Sequence, residues 1–190
     1  FFFFFLPYPL NHLSINSLGL DIAIQAAARA RDAIPHLELR IIGAGEERER
    51  LIQLRGQLGL EKVVTFSEGF VPVEQIPTLI ADADLGLIPL RIHSGTDIML
   101  PTKLLEYVTA GIPCVVPRTG TITRYFDENM VRFFEAENPD SLAEAIVELY
   151  RDPAQRLRLA HQATERFGKI YRWSEHKNVY VRLVEDLLEG

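Results

Sequence analysis

A chain of 190 residues is long enough to bury one sizeable core and suits a single domain, 1–190. Its hydrophobic share of 47% and charged share of 24% are those of an ordinary soluble globular protein. A net charge of −6 with acids and bases interspersed argues against nucleic acid or an anionic membrane as the main partner, and the lone cysteine, Cys114, excludes an internal disulfide and fits a reducing, cytoplasmic setting.

The chain opens on FFFFFL, too short for a bilayer span, which needs about 20 apolar residues. No basic segment precedes it, no A-x-A site follows and there is no starting methionine. It therefore reads as the first, buried strand of a sheet, in a fragment that begins inside a longer polypeptide. Five identical aromatics leave the register of that strand open. A helix is expected over 20–33, with Ile22, Ile24, Ala27 and Ala28 inward, then a strand over 37–42. A second helix over 46–58 turns Leu51, Leu54 and Leu58 to its apolar side. Residues 63–66 read as a strand, 73–81 as a short helix and 85–88 as another strand. Residues 89–100 read as a loop, followed by a helix over 103–110 and a strand over 113–116. A helical turn over 121–126 leads to the last strand, 131–134. From 141 onward the pattern is helical: 141–150, 153–167 and 174–188. Ser141 with Glu144 three residues on reads as a capping box, and Pro153 stands at a favoured first helical position. Short apolar strands alternating with amphipathic helices predict an α/β fold, a doubly wound parallel sheet with helices on both faces, ending in C-terminal helices.

The most informative stretch is LPTKLLEYVTAGIPCVV, residues 100–116. Pro101 and Thr102 can start a helix; Gly111 can stop it in the left-handed conformation, and Pro113 blocks continuation. Lys103 and Glu106 then share one helical face. A helix N-terminus attracts phosphate, a lysine strengthens that pull, and a carboxylate one turn on can accept two sugar hydroxyls. The spacing suits a nucleotide-sugar site; it equally suits a surface Lys–Glu pair on an ordinary βα unit. Gly43-Ala44-Gly45, after the second strand, can let a backbone approach a phosphate or can simply make a tight turn. The third glycine of a dinucleotide fingerprint is missing there, which disfavours a nicotinamide enzyme. The polar, glycine-bearing 94–103 loop can wrap a diphosphate and its sugar. No His, Cys and Asp spacing suggests a metal site, and no Gly-x-Ser-x-Gly elbow is present.

The pattern Pro-x-Lys-x-x-Glu-Tyr-x-x-x-Gly-x-Pro-x-Val-Val resembles the signature of the retaining glycosyltransferases of two-domain GT-B architecture (glycosyl transferases group 1, family 4-like). Four further segments resemble that family in order: Leu39-Arg-Ile-Ile-Gly-Ala-Gly45, Val64-Thr-Phe-Ser-Glu-Gly-Phe-Val71, Asp82-Ala-Asp84 with Leu85-Gly-Leu-Ile-Pro89, and Phe167 to Trp173 before a long helix. The resemblance covers roughly residues 20–190 and implies a Rossmann-like half of a GT-B fold, the C-terminal, donor-binding half.

The resemblance also implies roles. Glu106 falls to the ribose hydroxyls of the donor and Lys103 to the vicinity of the diphosphate, while Leu104 and the main chain near Thr102 help fix the nucleotide. Phe70 and Val71 lie against the base, and Gly43, Gly45 and Thr96 join the donor cradle. The family often has an acid eight positions before the glutamate; Ile98 stands there, and the neighbouring Asp97 is the acidic candidate. The family usually carries basic residues just before its first helix, where they neutralise the diphosphate; residues 11–19 here contain neither arginine nor lysine. His12 can add some positive charge there, and His93 lies near the proposed site.

The function so implied is transfer of a glycosyl group from a nucleoside-diphosphate sugar, a substrate rather than a cofactor, to an acceptor hydroxyl, with no metal and no other cofactor. The acceptor domain that normally precedes this one is absent from the chain, so the fragment alone is expected not to turn over. Membrane association of the complete enzyme is left open. Two alternatives stand beside it: half of a nucleotide-sugar epimerase, and a non-catalytic module of the same fold.

Overall fold

The computed structural model describes residues 2–5, 18–69, 71–170 and 173–189. The aromatic run forms β1 (Phe2–Phe5). It is followed by α1 (Leu20–Ala30), β2 (Glu38–Ile41), α2 (Arg48–Gln57), β3 (Val64–Phe66), a 3-10 turn (Val73–Gln75) leading into α3 (Ile76–Ile80), and β4 (Leu85–Leu87). Then come α4 (Ser94–Asp97), α5 (Thr102–Thr109), β5 (Cys114–Pro117), α6 (Gly120–Tyr125), β6 (Arg132–Phe134) and the terminal helices α7 (Pro139–Arg151), α8 (Pro153–Ile170) and α9 (Trp173–Glu189).

The six strands form one sheet in the order β3-β2-β1-β4-β5-β6, and every pairing is parallel. The register left open by the run of identical aromatics is fixed by its neighbours: Phe3 lies opposite Leu39 of β2 and Leu85 of β4. Strand β1 is thus central, and the order reverses between β1 and β4, the switch point of a doubly wound sheet.

Alternating side chains divide the core between the two faces. Leu39, Leu85, Leu87, Val115 and Phe134 pack with Ile22 and Ile24 of α1 and Leu142, Ile146 and Leu149 of α7. Ile88, Cys114, Val116 and Phe133 pack with Leu104, Tyr107 and Val108 of α5, Ile122 of α6 and Ala163 of α8. Gly86 of β4 faces the second layer, and a Cβ there would overlap the Tyr107 ring. That glycine therefore sets how closely α5 lies on the sheet. Cys114 is a small buried hydrophobe, and burial pushes its thiol pKa far up.

Several local expectations change: α1 ends at Ala30, three residues early, and α8 runs on to Ile170, three residues late. Helix α2 starts at Arg48, two residues later than the pattern suggests, because Glu46 and Glu47 form the turn before it. The 89–100 stretch is not all loop: it contains α4, capped by His93. Helix α7 starts before Ser141. Asn138 is its N-cap, its side chain accepting from Asp140 N and Ser141 N, with Pro139 in the first turn. The Ser141 hydroxyl instead accepts the Glu135 N–H. Helix α9 leaves Leu183, Leu187 and Leu188 exposed. Among the described residues no helix is long and apolar enough to cross a membrane.

Candidate functional site

In an open parallel sheet the carboxyl ends of the strands form the binding rim, and the switch point opens a crevice there. Gly19, just before α1, has φ 62°, and a Cβ on it would overlap the Pro89 carbonyl oxygen. The entry to α1 and the exit from β4 are therefore in contact at the switch point. Residues 6–17, which include His12 and most of the cation-poor segment, lie outside the described residues.

Helix α5 leaves that rim. Pro101 is its N-cap in an extended conformation, and Gly111 with φ 73° closes it. Leu104, Tyr107 and Val108 are buried, which anchors the helix and fixes the direction of its first two turns. Lys103 Nζ reaches both Glu106 oxygens, at 3.2 and 3.4 Å. The lysine side chain is 10% exposed and the glutamate 31%. Burial lowers the Lys103 pKa below its ordinary value, and the Glu106 carboxylate opposes that shift. The pair is thus a cation in a half-dry setting that holds a carboxylate whose outer edge meets solvent.

The loop before α5 is tightly bonded. His93 caps α4: its Nδ1 accepts the Gly95 N–H at 3.2 Å, and its own N–H donates to Thr96 Oγ1 at 2.9 Å. Thr96 is fully buried, and its hydroxyl donates to the Arg91 carbonyl at 2.6 Å. Arg91 Nη2 reaches Asp21 Oδ2 in the first turn of α1, also at 2.6 Å. Asp97 turns towards α6, where its Oδ1 accepts the Gly120 N–H at 2.7 Å.

On the other side of the switch point, Gly43 has φ 134°, a conformation that favours glycine, and its N–H donates to Ser67 Oγ at 2.9 Å. Arg48 Nη2 donates to the Ser67 carbonyl at 3.0 Å, and its guanidinium lies 5.8 Å from the centre of the Phe66 ring. The loops after β2 and β3 are thereby joined.

The structure thus brings Lys103 and Glu106 together and places Gly43 in a constrained loop at the same rim. Gly45 and Thr102 are exposed, and Val71 is half-buried beside the α5 layer. Thr96 and Leu104 are buried, so their side chains shape the loop and seat the helix instead of facing a ligand. One oxygen of the Asp97 carboxylate, expected at the sugar, accepts a backbone N–H at the start of α6. Phe70 lies outside the described residues. The spacing of residues does not reveal Arg91–Asp21 or Arg48–Ser67, since both connect elements remote in sequence.

The family model described as glycosyl transferases group 1 matches residues 15–166. The chain belongs to that family. It is 30% identical over 138 residues to a GDP-mannose-dependent alpha-(1-6)-phosphatidylinositol monomannoside mannosyltransferase from Mycolicibacterium smegmatis, covering 71% of this chain and 36% of that protein. It therefore spans about a third of the length of that relative. Among solved structures, the C-terminal domain of the group 1 glycosyl transferase LpcC from Francisella tularensis superposes with a TM-score of 0.74 at 17% identity, over 90% of this chain and 85% of that one. Anabaena Alr3699/HepE, solved in complex with UDP, gives a TM-score of 0.82 at 19% identity, over 98% of this chain and 49% of that one. The fold is the expected Rossmann-like half of a GT-B glycosyltransferase. The family match does not favour the epimerase alternative.

Proposed function

We propose that this chain is the donor-binding half of a retaining glycosyltransferase, which transfers a glycosyl group from a nucleoside-diphosphate sugar to an acceptor hydroxyl. The observation that carries this reading is the Lys103–Glu106 pair in the first two turns of α5, a buried cation steadying a carboxylate that still meets solvent. Glu106 accepts the two ribose hydroxyls, and Lys103 lies towards the phosphates. Gly43 and the adjoining main chain let the nucleotide approach closely.

In the reaction the bond between the anomeric carbon and the diphosphate oxygen breaks. A bond from the acceptor oxygen forms on the same face, and the acceptor's proton leaves with the nucleoside diphosphate. Holding both partners in place and stabilising the charge on the departing diphosphate supply the rate enhancement. The acceptor surface comes from chain beyond this half, in keeping with the greater length of the matched relative. The 190-residue chain alone binds donor without transferring it.

The test is titration of the chain with UDP and GDP by calorimetry. One of the two binds, and Glu106→Ala weakens it roughly tenfold or more, as expected for losing hydrogen bonds to a charged group. Binding of neither nucleotide at millimolar concentration, or equal binding by Glu106→Ala, rejects the reading.

A further inference from the structure

A departing nucleoside diphosphate builds up negative charge, and it leaves faster where fixed cations meet it in a crevice poor in water. The nearest sequence before α1 offers none, since residues 11–19 hold neither arginine nor lysine. A cation beyond Lys103 then has to come from another element at the switch point.

The described cations on loops or helix starts at the carboxyl rim include Arg48, Arg91, Lys103 and Arg118, with Arg50 beside Arg48 taken up by Glu47. Arg48 is bonded to the Ser67 carbonyl, away from the switch point. Arg118 pairs with Glu128 and lies over the Phe133 ring, beside β6. Lys103 lies towards the phosphates in the reading above but stands on α5 and shares its charge with Glu106, so it neutralises only part of a diphosphate. Arg91 alone among these joins the two loops that meet where the strand order reverses, the exit of β4 and the entry of α1.

We propose that Arg91 is a diphosphate-binding residue, supplying from the β4 loop the cation that the segment before α1 lacks. This rests on the donor-binding reading above. Three features of the site favour it. First, the backbone of Arg91 is pinned, because its carbonyl accepts the hydroxyl of the fully buried Thr96 at 2.6 Å. Second, the guanidinium is oriented, because Asp21 takes its Nη2 at 2.6 Å. Third, its side chain remains 27% exposed while that of Asp21 is 14% exposed, so the arginine is the more open member of the pair. A guanidinium presents five N–H donors in a planar fork, so one edge can hold a carboxylate while another takes phosphate oxygens. Asp21 is then a positioning residue that keeps the fork aimed before the donor arrives.

The pair can also be read as a tie between α1 and the β4 loop and nothing more. The two accounts differ in what breaking the pair from either side does. The experiment is calorimetric titration of UDP and GDP into the wild-type chain, Arg91→Ala and Asp21→Asn, with uridine and guanosine binding followed by saturation-transfer NMR and thermal unfolding recorded for each. Arg91→Ala is expected to weaken the bound nucleoside diphosphate roughly ten- to hundredfold while leaving the nucleoside unchanged. Asp21→Asn keeps the cation and leaves it an acceptor oxygen but removes the charge that aims the fork, and is expected to weaken the diphosphate by a smaller factor, about three- to fivefold, with the nucleoside again unchanged. Equal losses in both variants, or a loss in Arg91→Ala shared by nucleoside and diphosphate alike, overturn the assignment in favour of a structural tie. Wild-type binding with no change in Arg91→Ala overturns it while sparing the donor-binding reading; no wild-type binding at all overturns both.

Discussion

Asp97 Oδ1 accepts the main-chain N–H of Gly120 at 2.7 Å, and this hydrogen bond ties the loop after β4 to the start of the helix after β5. The fit is close on both sides, for a Cβ on Gly120 would stand 3.0 Å from Asp97 Oδ2. Asp97→Ala leaves the Gly120 N–H without its charged partner and is expected to cost about 1–3 kcal/mol of unfolding free energy. Asp97→Asn, which keeps an acceptor oxygen, recovers most of that. Urea denaturation of the two variants gives the comparison, and equal losses would show that the bond contributes by charge alone.

Gly86 and Tyr107 are fitted to each other across the sheet, with no space for a Cβ between them. Gly86→Ala forces the fully buried ring and α5 outward, and overpacking of this kind costs about 1–3 kcal/mol. Adding Tyr107→Leu should return part of the loss, because the two changes share one volume. A double-mutant cycle in urea measures this; simple additivity would refute direct contact as the cause.

Lys103 gives a stability signal at alkaline pH. Burial holds its pKa below the ordinary lysine value, so between the two values the unfolded chain binds the proton that the folded chain has released. Stability from this group therefore rises with pH across that interval, up to about 10.4. Lys103→Met removes the rise. The difference in unfolding free energy between wild type and variant, followed from pH 8 to pH 10.5, should narrow or reverse in favour of wild type as pH increases.

Glu148 gives a dependence of the same sign at acid pH, because its folded value also lies below the unfolded one. Hydrogen bonding from Arg132, with a further bond from Gln155, holds its carboxyl below the ordinary glutamate value. That stabilisation is fully present above the unfolded value and disappears as pH falls through the folded one. Arg132→Ala should flatten the acid limb of the stability profile below about pH 4.3. An unchanged acid limb would show that the pair makes no net contribution.

Much of the framework is legible in the residues themselves. Runs such as Leu85–Leu87 and Cys114–Pro117 are short and apolar because both of their faces are covered, and Gly111 marks the end of α5 through its positive φ. Local ambiguity accounts for the misplaced start of α7: Asn138 and Ser141 are both competent caps, and Pro139 selects the earlier one by suiting the first turn. Helix α4 escapes notice because a histidine supplies its cap and its body has only four residues. The site is less legible than the fold. Lys103 and Glu106 are neighbours by helical spacing, whereas Arg91 meets Asp21 only after β1 and β4 have paired. The position of the Asp97 side chain likewise depends on where α6 begins.

The single thiol of the chain lies in β5, 1% exposed and with its ionisation suppressed by burial. It offers a built-in reporter needing no engineered label. A disulfide reagent can modify Cys114 only when the helix layer of α5, α6 and α8 lifts from the sheet, so the labelling rate at low denaturant clocks that opening, and a bound nucleotide that holds α5 in place should slow that clock.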